Sequence, residues 1–563
     1  DKDYVWMQFS GAWSRERHVK ERRLEQGIQS VGSIRGNSSH EHNPFIVLRR
    51  PSATENAGEV MGFSLIYSGN HRMQAEVDTH DTTRITVGIN PQNFDWKLDC
   101  GESFQTPEAV VVFSDKGLNG MSQTFHKLYQ KRLARGYWRD RPRPILNNNW
   151  EATYFDFTED RLVEIAAKAK ECGVELFVLD DGWFGARSND YAGLGDWVAN
   201  RERLPQGIKG IADRIEEMGM KFGLWFEPEM VNKDSDLYRA HPDWILQTPQ
   251  RHSCHGRNQY VLDFSRKEVV DGIFTQIAKV LDETKADYVK MDMNRHLTDV
   301  WSKTAGEQNQ GAILHRYMLG VYDFLERLHE RYPDLLIEGC SGGGGRFDAG
   351  MLYYTPQIWC SDNTDAIERV KIQYGTSFAY PSCTVGSHVS AVPNHQTGRT
   401  TELATRAAVA MAGSFGYELD LNLLTEEEKE QVRAQLKNYH RFEMLIRQGR
   451  YYRLTDVWQK KEYAAWEYCR PDGSEALVTV VTLNTQCNPA TEYVKLRGLG
   501  EDKKYRVEVV GMQTGGENGQ RINGTPNAVE PEYYTGAQLV HAGLPVPRLG
   551  NEYKSWQVYV KEV

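Results

Sequence analysis

The spacing of apolar and polar residues divides the chain into three regions of different texture. Up to about residue 140 the apolar positions fall in short runs such as Glu59–Tyr67 (EVMGFSLIY), Met73–Asp78 and Arg84–Ile89. These runs are rich in β-branched and aromatic residues and are separated by Gly and Asn, the pattern of antiparallel strands. Met121–Arg135 has helical texture, and Arg139–Pro144 (RDRPRP) reads as a linker. The β-region starts abruptly and the chain does not open on Met, so an incomplete domain or a processed form is expected.

From Ile145 to about Arg453 short apolar runs alternate with long amphipathic stretches. Asp160–Cys172 has apolar residues at helical spacing and stops at Gly173, and Glu175–Leu179 follows as a continuous apolar strand. The unit recurs as Ile208–Met218 with Lys221–Phe226, Lys267–Thr284 with Tyr288–Met291, and Ile313–Arg331 with Leu335–Gly339. Strands apolar on both faces and alternating with helices predict a parallel sheet. A segment of about 300 residues fits a (β/α)8 barrel, and the absence of a dinucleotide fingerprint weakens an open nucleotide-binding sheet. From about Leu454 strand texture returns at Tyr463–Tyr468, Ala476–Leu483, Tyr505–Val510 and Ser555–Val560. The predicted division is 1–140 for an N-terminal β-domain with a linker helix, 141–453 for the barrel, and 454–563 for a C-terminal antiparallel β-domain.

Composition narrows the function classes. The 563 residues carry 67 Lys+Arg against 77 Asp+Glu, a net charge of −10 that argues against a nucleic-acid partner. No apolar run reaches the length of a membrane span, and DKDYVWMQFSGAW does not resemble a signal peptide. The 8 cysteines are scattered without a CxxC pair, which suits reduced thiols and a cytoplasmic protein. Asn37 and Asn523 sit in N-x-[ST] patterns that carry no weight without evidence of secretion.

Polar residues at the C-terminal ends of barrel strands read as site residues. The first strand runs ILNNNW, ending in Asn149 and Trp150, and the second runs ELFVLDDGW, ending in Asp180 and Asp181. The third, KFGLWFEPE, carries Trp225, Glu227 and Glu229. YVLDFS reads as a fourth, preceded by Arg257. DYVKMDMNR as a fifth places Lys290, Asp292, Asn294 and Arg295 together, LLIEGCSGGGGR reads as a sixth, and QIWCSDNTD as a seventh ends in Asp362 and Asp365. A single carboxylate after an apolar strand is more often a cap or turn residue. So many in succession predict a ring of carboxylates and aromatics at the barrel mouth, the equipment for glycoside cleavage. Lys290, Asp292 and Asn294 share one strand face. An ammonium beside Asp292 would keep that carboxylate ionised, as a nucleophile requires, though a structural Lys–Asp pair has the same pattern. Asp365 and Glu368 begin a helix and read as capping or solvated groups, which leaves Asp362 as the better catalytic acid. Gly342–Gly345 lacks the GK[ST] ending of a phosphate loop and reads as backbone that admits a ligand closely. His252, Cys254 and His255 have no matching second cluster, so neither metal nor cofactor is expected. No G-x-S-x-G elbow supports Ser-His-Asp catalysis.

With these motifs the chain resembles the family-36 glycoside hydrolases, the bacterial α-galactosidases. The motifs are LDDGWF (Leu179–Phe184), GLWFEPEM (Gly223–Met230), KMDMNR (Lys290–Arg295), EGCSGGGGRFD (Glu338–Asp348) and CSDNTDAIER (Cys360–Arg369). The resemblance implies an N-terminal β-supersandwich, a catalytic TIM barrel, a C-terminal β-domain and a retaining double displacement. It implies Asp292 as nucleophile and Asp362 as general acid/base. Asp180 and Asp181 would hold the galactose 4- and 6-hydroxyls. Lys290, Arg257 and Asn294 would contact other hydroxyls, Trp225 would form a wall, and Cys340 and Gly343 would border the 2-hydroxyl. Two features depart from the family pattern. Met291 stands where the family has Trp, and the N-terminal β-domain is shorter than the full supersandwich by about a hundred residues, which truncates a domain used in the family's tetramers. The expected substrate is melibiose, a raffinose-type oligosaccharide or an aryl α-galactoside. An α-N-acetylgalactosaminidase, a galactosyl-transferring enzyme and a non-catalytic carbohydrate-binding protein are the rival readings.

Overall fold

The computed structural model describes residues 1–512, 532–547 and 551–563; Asn523 lies outside them. At the centre is a closed parallel barrel. Its strands are β1 (Leu146–Asn148), β2 (Leu176–Leu179), β3 (Lys221–Phe226), β4 (Tyr288–Met291), β5 (Leu336–Gly339), β6 (Gln357–Trp359), β7 (Val385–Ser390) and β8 (Ser414–Glu418). Closure comes from β1, which pairs with β2 through Leu146 and Leu176 and with β8 through Leu146 and Gly416. Leu146, Leu176, Val178, Tyr288 and Leu336 form a buried cluster, the apolar filling expected inside such a barrel.

The helices between the strands follow their local signals. Glu159–Cys172 is capped by the Thr158 hydroxyl, which accepts from the Arg161 amide, and ends at Gly173 with φ +104°. Lys267–Thr284 and Ile313–Arg331 bury one apolar face each. Asp365 caps the helix Ala366–Thr376 by accepting from the Ile367 and Glu368 amides, in line with its reading as a capping group.

Two corrections concern barrel strands. Tyr260–Ser265 is not one of them: Gln259–Val261 pairs antiparallel with Met230–Asn232 in a two-stranded excursion outside the barrel. The strands counted fifth, sixth and seventh therefore become β4, β5 and β6. The ring closes through β7 and β8, whose sequences VGSHVS and SFGYE have no strong apolar pattern although every residue in both is buried.

The N-terminal domain stacks a five-stranded antiparallel sheet on a three-stranded one. Strand Val5–Ser10 shows why it is buried on both faces. Trp6 enters the core between the two sheets, with Ile46, Leu48 and Met73, while Met7 and Phe9 join the large core continuous with the barrel. Period two along the strand thus serves two different cores. The C-terminal domain is a six-stranded antiparallel sheet with its own apolar core, including Val478, Tyr505 and Trp556. All 8 cysteines are free thiols. Among the described residues no helix is long and apolar enough to cross a membrane.

Candidate active site

A cavity of about 510 Å³ opens at the C-terminal ends of the barrel strands. Among the sequence-predicted residues, Trp150, Asp180, Asp181, Trp225, Arg257, Lys290, Asp292, Asn294 and Asp362 line it. Cys340 and Gly343 do not line it; the intervening Ser341 and Gly342 do. Cys340 is buried behind Asp292 and its thiol donates toward that carboxylate. Gly343 has φ +77°, and a Cβ there would stand 2.5 Å from the Asp362 amide nitrogen, so this position requires glycine. The glycine run thus brings backbone close to Asp362.

Adjacent side chains on β2 diverge, and here the turn at Gly182 (φ +108°) follows directly after Asp181. Asp180 Oδ2 accepts from Lys290 Nζ at 3.0 Å and from Asn148 Nδ2 at 2.6 Å. Arg187 grips Asp181 with two nitrogens, Nε to Oδ1 at 3.0 Å and Nη2 to Oδ2 at 2.8 Å. Burial pushes the Asp181 carboxyl up, against the pull of that guanidinium. Lys290 was expected beside Asp292, but its direct partner is Asp180, and it acts on Asp292 through its field.

Asp292, just past the end of β4, is surrounded by donors. Oδ1 accepts from the Met293 amide (2.8 Å) and the Gly342 amide (3.0 Å). Oδ2 accepts from Asn294 Nδ2 (2.7 Å) and Trp225 Nε1 (3.2 Å). Burial alone would raise this carboxyl. The Lys290 ammonium, the Cys340 thiol, the Gly342 amide and Arg257 together hold it below its ordinary value. Asp362 moves the other way: burial first, then the negative charge of Asp292, raise its carboxyl. Trp13 Nε1 donates to Asp362 Oδ2 at 2.8 Å, and no ion pair reaches Asp362 among the described residues.

Glu227 and Glu229 leave the cavity. Glu227 accepts from Gln259 Nε2 (2.6 Å) and from both nitrogens of Asn294, and burial followed by Asp292 raises it to about 7. Glu229 forms a buried ion pair with Arg346 at 2.7 Å. Arg257 adopts φ +52° and reaches Asp190 at 3.6 Å.

Sequence reasoning missed several lining residues. Trp359 and Glu418 end β6 and β8. Lys290 Nζ lies 5.5 Å above the Trp359 ring, and Glu418 pairs with His388 at 3.0 Å. Trp359 stands in QIWCSD beside residues already singled out and was findable; Glu418 was hidden because β8 was. Trp13, Asn37 and His40 come from the N-terminal domain, where no local pattern signals a barrel site. Among the described residues no group of His, Cys, Asp and Glu could hold a metal ion.

The sequence model of the Melibiase family matches residues 103–449, and those of the glycosyl hydrolase family 36 N-terminal and C-terminal domains match residues 1–99 and 463–560. The chain belongs to glycosyl hydrolase family 36. Its family-36 relatives include alpha-galactosidase AgaA of Geobacillus stearothermophilus, 50% identical across 100% of this chain and 74% of AgaA. The bifunctional alpha-galactosidase/sucrose kinase AgaSK of Mediterraneibacter gnavus is 48% identical across 99% of this chain and 56% of its own length. The crystal structure of AgaA superposes with a TM-score of 0.95 over 100% of this chain and 75% of that one. A variant of AgaA solved in complex with raffinose, 49% identical, gives the same TM-score with the same shares of the two chains.

Proposed function

We propose that this family-36 chain is a retaining, exo-acting α-galactosidase that removes terminal α-linked galactose from melibiose or raffinose-type oligosaccharides. The observation that carries the reading is that two carboxylates, Asp292 buried and Asp362 half-buried, share one cavity and are biased oppositely, Asp292 toward the ionised form and Asp362 toward the protonated one. Retaining glycoside cleavage needs that division of labour. The galactosidase names of the relatives and the raffinose bound to one of them support the sugar assignment.

In the first half-reaction Asp292 attacks C1 of galactose while the bond to the leaving oxygen breaks. Asp362 gives its proton to that oxygen. In the second half, Asp362, now a carboxylate, takes a proton from water. The water oxygen attacks C1, and Asp292 departs as carboxylate. The donors around Asp292 hold its charge when it departs and aim its oxygens when it attacks. Asp180 and Asp181 are suited to the axial 4-hydroxyl and the 6-hydroxyl, since each is a pinned acceptor at the cavity wall. Lys290, Arg257 and Asn294 supply further donors, and Trp225 and Trp150 supply apolar faces. Cys340 and Gly343 shape the 2-hydroxyl side indirectly, one through Asp292 and one through the backbone at Asp362. On this reading residues 141–453 are the catalytic unit, between β-domains at 1–140 and 454–563, and the unpaired cysteines support a reducing compartment.

Trapping with a 2-deoxy-2-fluoro or cyclitol galactose reagent, followed by peptide mapping, tests the assignment. The label is expected on Asp292. A label on Asp362, Asp365 or Glu227 overturns it.

A further inference from the structure

The segment Gly11–Arg17, which follows strand Val5–Ser10 of the N-terminal domain, reaches the end of β6 and binds four consecutive residues there. Arg17 Nη2 donates to the Cys360 carbonyl at 2.5 Å. Ser361 Oγ donates to Glu16 Oε2 at 2.5 Å. Trp13 Nε1 donates to Asp362 Oδ2 at 2.8 Å. Asn363 Nδ2 donates to the Ser14 carbonyl at 3.0 Å. Arg17 also donates to the Gly344 carbonyl and the Thr376 hydroxyl, at 3.1 and 2.7 Å. Glu16 and Arg17 are buried in doing this, whereas Trp13 stays 57% exposed. Ser14 and Arg17 adopt left-handed backbone, φ +65° and +53°, which non-glycine residues rarely do. Strain of that kind persists where surrounding contacts over-determine the backbone, and here those contacts converge on one strand end.

We propose that Gly11–Arg17 is a positioning device for Asp362, in which the Trp13 N–H holds Oδ2 and leaves Oδ1 to exchange the proton with the glycosidic oxygen and then with water. The proposal deepens the functional reading and rests on Asp362 being the acid/base. Its chemistry follows from the donor. An N–H aimed at a carboxyl favours the ionised form, so Trp13 makes Asp362 a stronger acid and stabilises the carboxylate left when the proton has gone. The other charges facing Asp362 are Asp292, which raises it, and Lys290 and Arg257, which lower it. His395 stands at the same cavity and Glu16 lies behind Ser361. Trp13 is the neutral donor among them. A flat ring serving only as a wall for the sugar would need no N–H at Oδ2.

Trp13→Phe removes the N–H and keeps an apolar ring at an exposed position, so the fold is not at stake. The alkaline limb of kcat/KM reports the free acid and is expected to move up by about half to one pH unit. Melibiose turnover should fall about tenfold, while 2,4-dinitrophenyl α-galactoside, which hardly needs the proton, should change less than about twofold. An equal loss on both substrates with the limb unmoved makes Trp13 a wall only and overturns the proposal, as does no change at all. Asp362→Ala is measured beside it. If that variant shows neither leaving-group dependence nor azide rescue, the acid/base reading fails and takes this proposal with it. If it shows both while the Trp13→Phe limb stays in place, this proposal alone falls.

Discussion

The barrel wall of the cavity and its N-terminal rim hold their carboxylates by different means. On the wall, Asp180 and Asp181 face cations, Lys290 at 3.0 Å and Arg187 at 2.8 Å, all from the barrel and its loops. At the rim, Asp362 has no cation within ion-pair distance among the described residues and is held by an indole N–H from another domain. The physical lesson is in the charge each group must carry. A carboxylate that only grips hydroxyls keeps its charge through turnover, and a buried cation secures it. An acid/base group changes charge twice per cycle. A close cation would hold it ionised and disable the first half, so burial and a neutral donor suit it better. Asp292 stands between these extremes, with neutral donors on both oxygens and the field of Lys290 nearby.

The sharpest test of this contrast removes the proposed nucleophile. Asp292→Ala should lower kcat/KM by about 10⁴-fold or more on every substrate, aryl or sugar, because the covalent route is gone. A loss confined to poor leaving groups would exchange the roles of Asp292 and Asp362.

Asp362→Ala should be selective. Melibiose cleavage is expected to fall by about 10²–10⁴-fold, the contribution typical of a general acid. Galactosides of acidic phenols should keep appreciable glycosylation, and hydrolysis of the galactosyl-enzyme should become slow. Azide needs no base, so it should accelerate turnover and yield β-galactosyl azide. A variant that azide leaves unchanged would remove Asp362 from the cycle.

The ion-paired wall makes a smaller prediction. Asp181→Ala should cost about 1.5–3 kcal/mol in kcat/KM on galactosides, the range for a hydrogen bond to a charged group, and should erode the preference over glucosides. Arg187→Ala should act through stability as well. It leaves Asp181 buried without its cation, at a cost of about 3–5 kcal/mol, read as an early thermal transition. An unchanged galactose preference in Asp181→Ala would break the hydroxyl assignment.

The smallest effect is expected at Cys340. Its thiol helps to hold the Asp292 carboxyl below its ordinary value. Cys340→Ala should therefore raise that carboxyl, and the acid limb of kcat/KM should move up by about half a unit, since the proposed nucleophile must be ionised. A limb that moves down would mean the thiol does not serve Asp292.

The order of elements was legible from local pattern wherever strands were apolar on both faces. Lys221–Phe226, Lys267–Thr284, Tyr288–Met291 and Ile313–Arg331 coincide with their predicted bounds. The same pattern misled at Tyr260–Ser265, because an apolar run signals burial and does not name a pairing partner. It missed β7 and β8 for the converse reason. Ser387, His388 and Ser390 are buried in the closed ring, and a buried polar strand has no apolar signature.

The site divides along the same line. Asp180, Asp181, Lys290, Asp292 and Asp362 lie at or just beyond the ends of strands that converge by the geometry of a parallel barrel, so chain order and strand period already bring them to one mouth. Their charge states were not legible. Those depend on which neighbours lie within a few ångströms, and the decisive ones are distant in the chain: Lys290 for Asp180, Gly342 for Asp292, and Trp13, 349 residues away, for Asp362. Local sequence determines which side chains a strand end presents, because backbone period is a local property. Only the folded chain decides what those side chains face, and because Coulomb and hydrogen-bond energies act across space rather than along the chain, the opposite bias of Asp292 and Asp362 was settled in three dimensions.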